Sequence, residues 1–441
     1  MRRTPMPEHR SARTNPDRRQ ILAAGAAAAI SVLWVMTRSG LAGISTRAND
    51  TIGIGVIGMG IRGRRLMYQM MDRDDIRIVG VSEVAGPRLL AAMQAVEAKD
   101  GEPCAGYLDY EDLLARNDID AVVIATQDSN HARPAIMAAR RGIDVYCEKP
   151  LTLTIAEGRA ICDAVAHGQA VFQTGSQQRS EYGGRFRTAC EHIRNGRIGK
   201  LKRVEIGVGD PPTPCDLPDE ETPAGYDWNR WLGASPERKF NSELCPEGVH
   251  GHYPRWRQFG EYGNGYFADM GAHHYDIAQW AMDTDHTGPV RIIPPALVNG
   301  EMPKRGLVLE YDNGVQISHG GRSGCTFTGT DGMIYVDRGA LEASDESILK
   351  DPAGNSDLKL PDTGGHMKNW IDCIRNRTRP ICHEEVGHRT ASVNQLAVIG
   401  YEVGQPLVWD PRKEVFTGDH AAAGNAKLER PSRGEWGIPA S

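Results

Sequence analysis

No two cysteines in this chain stand at C-x-x-C spacing, no H-E-x-x-H occurs, and no segment repeats. The nine cysteines, at 104, 147, 162, 190, 215, 245, 325, 373 and 382, are odd in number and irregularly spaced. That excludes a disulfide framework or a Cys-based zinc cluster and makes most of them small buried residues. Positive charge is short as well. Lys and Arg total 51 against 57 Asp and Glu, a net −6, which argues against a general nucleic-acid binder. The apolar run at residues 21–36 is about one residue short of a membrane span and rich in weakly apolar Ala, so no permanent anchor is expected.

What is present fits an ordinary soluble protein. At 441 residues, 40% hydrophobic and 24% charged, the chain has room for two or three domains with real cores. Fourteen His and eight Trp would suit a polar, aromatic-lined site. The charge is uneven: residues 1–42 hold seven Arg against Glu8 and Asp17, a local +5 that leaves −11 for the rest. Arg18-Arg19-Gln20-Ile21-Leu22 opens the apolar run, and small residues at 40–43 could be a cleavage region. This pattern reads as a twin-arginine signal, with the export machinery as partner and the periplasm as destination. An uncleaved, membrane-tethering start is the alternative.

The centre of the sequence is TIGIGVIGMGIRG at residues 51–63. Its first half is a β-branched run suited to a buried parallel strand. Its second half, Gly58-Met59-Gly60-Ile61-Arg62-Gly63, is G-x-G-x-x-G. Gly58 allows a tight turn, Gly60 leaves room for a pyrophosphate, and Gly63 lets the next helix pack closely with its N-terminal amides facing the phosphates. Glu83 follows 20 residues after Gly63, at the end of a second strand, where an acid binds ribose hydroxyls. A carboxylate there predicts NAD(H) over NADP(H), although nearby Arg88 could pair with a 2′-phosphate.

Strands are expected over 52–57, 76–81, 121–125, 144–146 and 170–174, alternating with helices over 64–71, 87–99, 110–116, 132–141 and 156–167. That alternation predicts an N-terminal α/β domain of the Rossmann type, a doubly wound parallel sheet. Two loops at strand ends would face its crevice: Thr126-Gln127-Asp128-Ser129-Asn130-His131 and Cys147-Glu148-Lys149-Pro150. Beyond residue 176 the pattern changes. A helix at 184–195 and a strand at 201–208 lead into an irregular, aromatic stretch at 210–263. A helix from about 271 to 282, short β segments across 290–346 and helices at 366–376 and 387–403 follow. These predict a C-terminal α+β domain with a mixed or antiparallel sheet and helices on one face. The expected organisation is a signal and linker (1–48), a dinucleotide domain (49–175), a substrate domain (176–405) and an unassigned tail (406–441).

Asp269, His273, Asp276 and Trp280 are spaced i, i+4, i+7 and i+11, one helical stripe. An Asp four residues before a His can accept its ring proton and raise its basicity, as a general base requires. An N-capping Asp beside a buried, satisfied His is the plainer reading. His250, His252, Asp269, His273 and His274 also raise a metal site, but without an established ligand motif none is expected.

On GVIGMGIRG, Glu148-Lys149-Pro150 and Gly265…Asp269-x-Gly271-x-His273-x-x-Asp276, residues 50–410 resemble the Gfo/Idh/MocA oxidoreductase family. The resemblance implies NAD, a substrate in a cleft between the domains, and a C-terminal sheet that often mediates homo-oligomers. It also points to Lys149 and His273 as catalytic groups. The chain departs from the family pattern at Thr126-Gln127-Asp128, where Thr-Pro is commoner, at Gln177, where many members have Asn, and in the long 210–263 insertion. The expected cofactor contacts are Gly58, Gly60, Ile61, Arg62, Gly63, Glu83, Thr126, His131, Glu148 and Gln177. The expected activity is hydride exchange between nicotinamide and a sugar or polyol secondary alcohol, with His273 as base, oriented by Asp269, and Lys149 at the developing alkoxide. A glycoside hydrolase using transient oxidation is the alternative, with Tyr182, His252 or Tyr253 as an extra acid/base beside the substrate. A non-catalytic dinucleotide-binding protein is the third reading.

Overall fold

Six short apolar segments build the first sheet of the computed structural model, which describes residues 51–101, 103–350 and 358–440. They are β1 (Ile52–Ile57), β2 (Ile76–Ser82), β3 (Ala105–Tyr107), β4 (Ala121–Ile124), β5 (Asp144–Cys147) and β6 (Phe172–Thr174), in the order β3-β2-β1-β4-β5-β6. Every pairing is parallel. β1, β4, β5 and β6 are buried at every residue, as a sheet covered on both faces requires. Helices α1 (Ile61–Met71) and α2 (Gly86–Asp100) cover one face, and α3 (Ala132–Arg140) and α4 (Ile155–Gly168) the other. Thr154 and Glu157 close a capping box at the start of α4. The export signal expected over 1–48 lies outside the described residues.

The second sheet has eight strands. β7 (Leu201–Gly207), β8 (Arg291–Ile293), β9 (Val308–Glu310), β10 (Gln316–Gly329), β11 (Met333–Val336), β12 (Leu341–Ala343), β13 (Leu407–Asp410) and β14 (Val415–Thr417) take the order β12-β11-β10-β9-β8-β13-β14. Adjacent strands along this path pair antiparallel. β7 lies off the path beside β10, whose residues 316–319 register with 203–206 and whose residues 323–329 register with 201–207. Gly320, Gly321 and Gly324, at φ of 151°, 80° and 114°, let β10 double round its neighbour. Helices α5 (Arg185–Arg194) and α6 (Gly265–Met282) pack on this sheet with α8 (Glu384–Val403), around Phe267, Tyr275, Phe327 and Leu396. The intervening α7 (His366–Asn376) instead carries Trp370 under the first sheet, edge-on to Tyr146.

Three features differ from the sequence reading. The helix expected from about residue 271 begins at Gly265, so Asp269 lies inside it. Gly271 lies within the helix, and a Cβ there would come within 2.2 Å of Asn394 Oδ1, so it permits close packing of α6 on α8. The unassigned tail supplies β13 and β14, and Arg430 then ties the chain back to Glu157 and to the Ser129 carbonyl. The 210–263 insertion has one short α-helix, Trp228–Leu232, and a 3-10 turn, Arg255–Gln258, but its own apolar cluster of Trp231, Phe240, Leu244, Trp256, Phe259 and Tyr262. It is pinned to the first sheet's crevice by Arg88 donating to Pro246 O (2.7 Å) and Arg64 donating to His250 O (2.6 Å).

Candidate active site

The glycine turn after β1 is fixed by close approaches. Gly58 has φ 88°, and a Cβ on Gly63 would lie 1.8 Å from the Gly58 carbonyl oxygen. Only glycine fits either position. Around Gly60 there is open space. α1 begins at Ile61, directly after it, so the helix N-terminus faces the crevice. Glu83 is buried at the end of β2, where its carboxylate accepts from the amides of Met59 (2.8 Å) and Ala85 (2.9 Å), and Arg88 lies 3.8 Å away. Arg88 itself is committed to the insertion, through Pro246 O, Gly248 O and Cys245 Sγ.

A cavity of about 360 Å³ runs from this turn to the start of α6, roofed by the insertion. Gly58, Gly60, Ile61, Arg62, Glu83 and Thr126 line one part of it, and Glu148, Lys149, Gln177, Tyr182, Tyr253, Asp269 and His273 another. These are thirteen of the sixteen sequence-derived site residues, all brought to one cavity; Gly63 shapes the turn from beneath. Glu148 is buried, and its Oε1 accepts from Arg62 Nε (2.7 Å), Gln177 Nε2 (3.1 Å) and Tyr146 OH (3.3 Å). Burial pushes its carboxyl up, but Arg62 and Lys149 outweigh that and hold it below the usual range.

Lys149 meets the substrate-side residues. Its Nζ donates to the Asp269 carbonyl and to Asp269 Oδ1, each at 2.7 Å. Burial raises the Asp269 carboxyl, yet Lys149 and Arg257, the latter 3.6 Å away, bring it below normal. His273 is driven well below its ordinary pKa by burial and then by Lys149 and Arg338, so it stands neutral. Its Nδ1 is buried without a hydrogen-bond partner among the described residues. The expected Asp269–His273 pair is therefore corrected: the carboxylate turns to the stronger donor, Lys149, and leaves the imidazole alone.

Two further expectations fail on geometry. His131, expected to touch the cofactor, does not line the cavity. It is buried beneath the loop, with Nδ1 2.8 Å from Pro150 O and Nε2 3.3 Å from Thr126 O, and ties the two strand-end loops together. His252 lies exposed outside the cavity lining, because its carbonyl receives the His250 Nδ1 contact and His250 takes the lining position. Tyr253 sits at the exposed rim, accepting from Arg65 (3.2 Å). Asp276, on the same helical stripe, is fully buried against Arg179 (2.7 Å), which also holds Asp285. It anchors α6 and does not enter the cavity.

Among the cavity residues that the sequence reading missed, three stand close to Lys149, Asp269 or His273. Asp128, quoted only as part of a loop, is buried with its carboxyl pushed up to about 7 by desolvation, against the opposing pull of Lys149. Its strand-end position was the available signal. Arg257 comes from the insertion and Arg338 from the turn after β11, and no local pattern marks either.

This arrangement fits a dinucleotide: open space over Gly60, a helix start aimed at it, and a buried acid at the neighbouring strand end. Beyond it stand a neutral imidazole and a lysine cation, the pair needed to take a proton and to stabilise an alkoxide.

Residues 52–176 match the model of an oxidoreductase family's NAD-binding Rossmann fold, and residues 213–438 that of the same family's C-terminal alpha/beta domain. Among curated proteins the chain is 30% identical over 260 residues to a glycosyl hydrolase family 109 protein of Stenotrophomonas maltophilia, covering 54% of each. The chain thus spans about half the length of that relative. It is 25% identical over 332 residues to scyllo-inositol 2-dehydrogenase (NAD(+)) of Bacillus subtilis, covering 70% of this chain and 83% of that one. Among solved structures, an aldose-aldose oxidoreductase of Caulobacter crescentus complexed with glycerol gives a TM-score of 0.55 at 17% identity, covering 81% of this chain and 99% of that one. That likeness concerns the fold.

Proposed function

The chain belongs to the Gfo/Idh/MocA oxidoreductase family, and from that premise we propose that it oxidises a secondary alcohol of a sugar or polyol, or reduces the matching ketone. NAD is the cofactor, and when bound it supplies the two-electron hydride acceptor. The observation that carries the reading is Lys149 Nζ, held 2.7 Å from Asp269 Oδ1, on the same cavity wall as a neutral His273. His273 takes the hydroxyl proton as the carbon loses its hydride. Lys149 stabilises the oxygen while it is negative, and Asp269 holds the ammonium in place. Arg62, Glu148 and Gln177 fix the wall beside the reacting centre. The test is nicotinamide reduction across a panel of hexoses, inositols and their derivatives, with the nucleotide that co-purifies identified by mass. No reduction with any member would overturn the reading.

The likeness to a glycosyl hydrolase family 109 protein favours a second reading, in which hydride is removed, the aglycone is eliminated, water adds and the hydride returns. Release of nitrophenol from nitrophenyl glycosides without added NAD would support it. Export through the twin-arginine pathway to the periplasm and homo-oligomerisation through the second sheet complete the proposal. Arg18→Lys with Arg19→Lys should strand the protein in the cytoplasm, and normal periplasmic amounts would contradict export.

A further inference from the structure

The substrate end of the cavity has more cations than its own carboxylates can neutralise. Lys149, Arg257 and Arg338 all line it. Asp269 Oδ1 is the shared partner of the first two, at 2.7 Å from Lys149 and 3.6 Å from Arg257. Arg257 is held on the faces of Trp256 and Tyr253, with its centre 4.1 and 4.8 Å from the ring centroids.

Arg338 has no carboxylate within ion-pair distance among the described residues. Its neighbour Asp337 is already used, accepting from Gly339 N (2.7 Å), Ala340 N (2.6 Å) and Tyr335 OH (2.7 Å). Arg338 Nε donates to Gln178 Oε1 (3.2 Å), and Gln178 in turn donates to the His273 carbonyl (3.3 Å). The guanidinium lies over Tyr182, 5.0 Å from the ring centroid. Its terminal nitrogens make no hydrogen bond to the protein among the described residues, so a planar two-donor fork is left for a ligand. The buried carboxyl of Asp128, which titrates near neutrality, lowers the surplus to one positive charge when ionised and leaves two when protonated. The cofactor's phosphates belong at the Gly58–Gly63 turn, and an oxidised nicotinamide is itself cationic, so neither offsets this surplus.

We propose that the substrate is an acidic sugar, a uronic or aldonic acid or its derivative, whose carboxylate is received by the Arg338 fork with Arg257 supporting. This rests on the oxidoreductase reading of the same cavity and names its substrate class. A guanidinium fork matches a carboxylate bidentately, and a single carboxylate balances the one charge left when Asp128 is ionised.

The test is calorimetric titration of the NADH-loaded protein with matched pairs: glucuronate and glucose, galacturonate and galactose, gluconate and sorbitol. Glucose 6-phosphate is added to separate carboxylate from phosphate. At least one acid should bind about tenfold or more tighter than its neutral partner, as charge-assisted hydrogen bonds imply. The gap should shrink at high salt. Arg338→Gln should reduce it to less than about threefold, and Arg338→Lys should restore part of it. Equal binding of acids and neutral sugars, tighter binding of the phosphate, no binding of any acid, or a gap unchanged in Arg338→Gln would overturn the proposal. Hydride transfer from the same panel is scored separately. Turnover of neutral sugars without acid preference refutes the acidic substrate and spares the oxidoreductase, whereas tight acid binding without hydride transfer does the reverse.

Discussion

Asp128→Asn should make the protein less sensitive to rising pH. In the folded protein this carboxyl titrates at about 7, against 3.8 for the unperturbed group, because burial raises it more than Lys149 lowers it. The raised value means that the folded state holds the proton more tightly than the unfolded chain. Stability from this group is therefore complete below the unfolded pKa and falls as pH rises, levelling off above the folded one. The whole effect is about 3 pH units at roughly 1.4 kcal/mol each, or about 4 kcal/mol. Between about pH 5 and pH 8 the share lost is roughly 2.5 kcal/mol. Asn cannot ionise and loses none of it. Urea unfolding of both proteins, followed by tryptophan fluorescence at several pH values, measures the gap directly. The variant should gain on the wild type by that amount across the interval, with the steepest change below about pH 7. A gap constant within about 1 kcal/mol would refute the assignment of a buried, neutral-range carboxyl here.

Two other predictions concern the dinucleotide. Gly63→Ala drives a methyl to 1.8 Å from the Gly58 oxygen, so it should disrupt the turn and lower thermal stability. Gly60→Ala meets nothing within 4 Å and should leave the melting temperature alone while weakening NADH binding; equal behaviour of the two in melting and titration would contradict this. Wild type should bind NADH at least about tenfold tighter than NADPH, because Glu83 repels a 2′-phosphate and Arg88 is occupied by the insertion. Glu83→Ala should narrow that ratio in paired titrations, and an unchanged ratio would show that Glu83 does not select the nucleotide.

The parts of this protein that could be read from its sequence are those built by local rules. The glycine turn is one, since Gly58 and Gly63 answer contacts a few residues away or one strand over, and Gly60 leaves open space. The alternation of buried strands and helices is another, and it gave the parallel sheet. Lys149 and His273 came from motif resemblance, and the cavity does bring them together. Reading stopped where a partner arrives from far along the chain. Asp269 is one helical turn from His273 but bonds Lys149, 120 residues earlier. His131 looked like a site residue because polar loops at strand ends face the crevice, yet its ring turns inward to two carbonyls. Arg257 and Arg338 lie in an irregular insertion and a hairpin turn, where no periodicity indicates which way a side chain points. The strands at 407–410 and 415–417 were hidden among Pro and Gly because they only complete a sheet begun two hundred residues before.

The most direct measurement is single-turnover hydride transfer, with NAD titration on the same preparations, for wild type, His273→Ala and Lys149→Ala. The substrate is a sugar that the wild type oxidises. Both variants should bind NAD as the wild type does, because the pyrophosphate is held at the glycine turn. Hydride transfer should fall about 10²–10⁴-fold in His273→Ala, the usual contribution of a positioned base, and fall also in Lys149→Ala. Full hydride transfer in His273→Ala, or a loss confined to NAD affinity, would mean that His273 is only a buried helix residue and that the proposed chemistry is wrong.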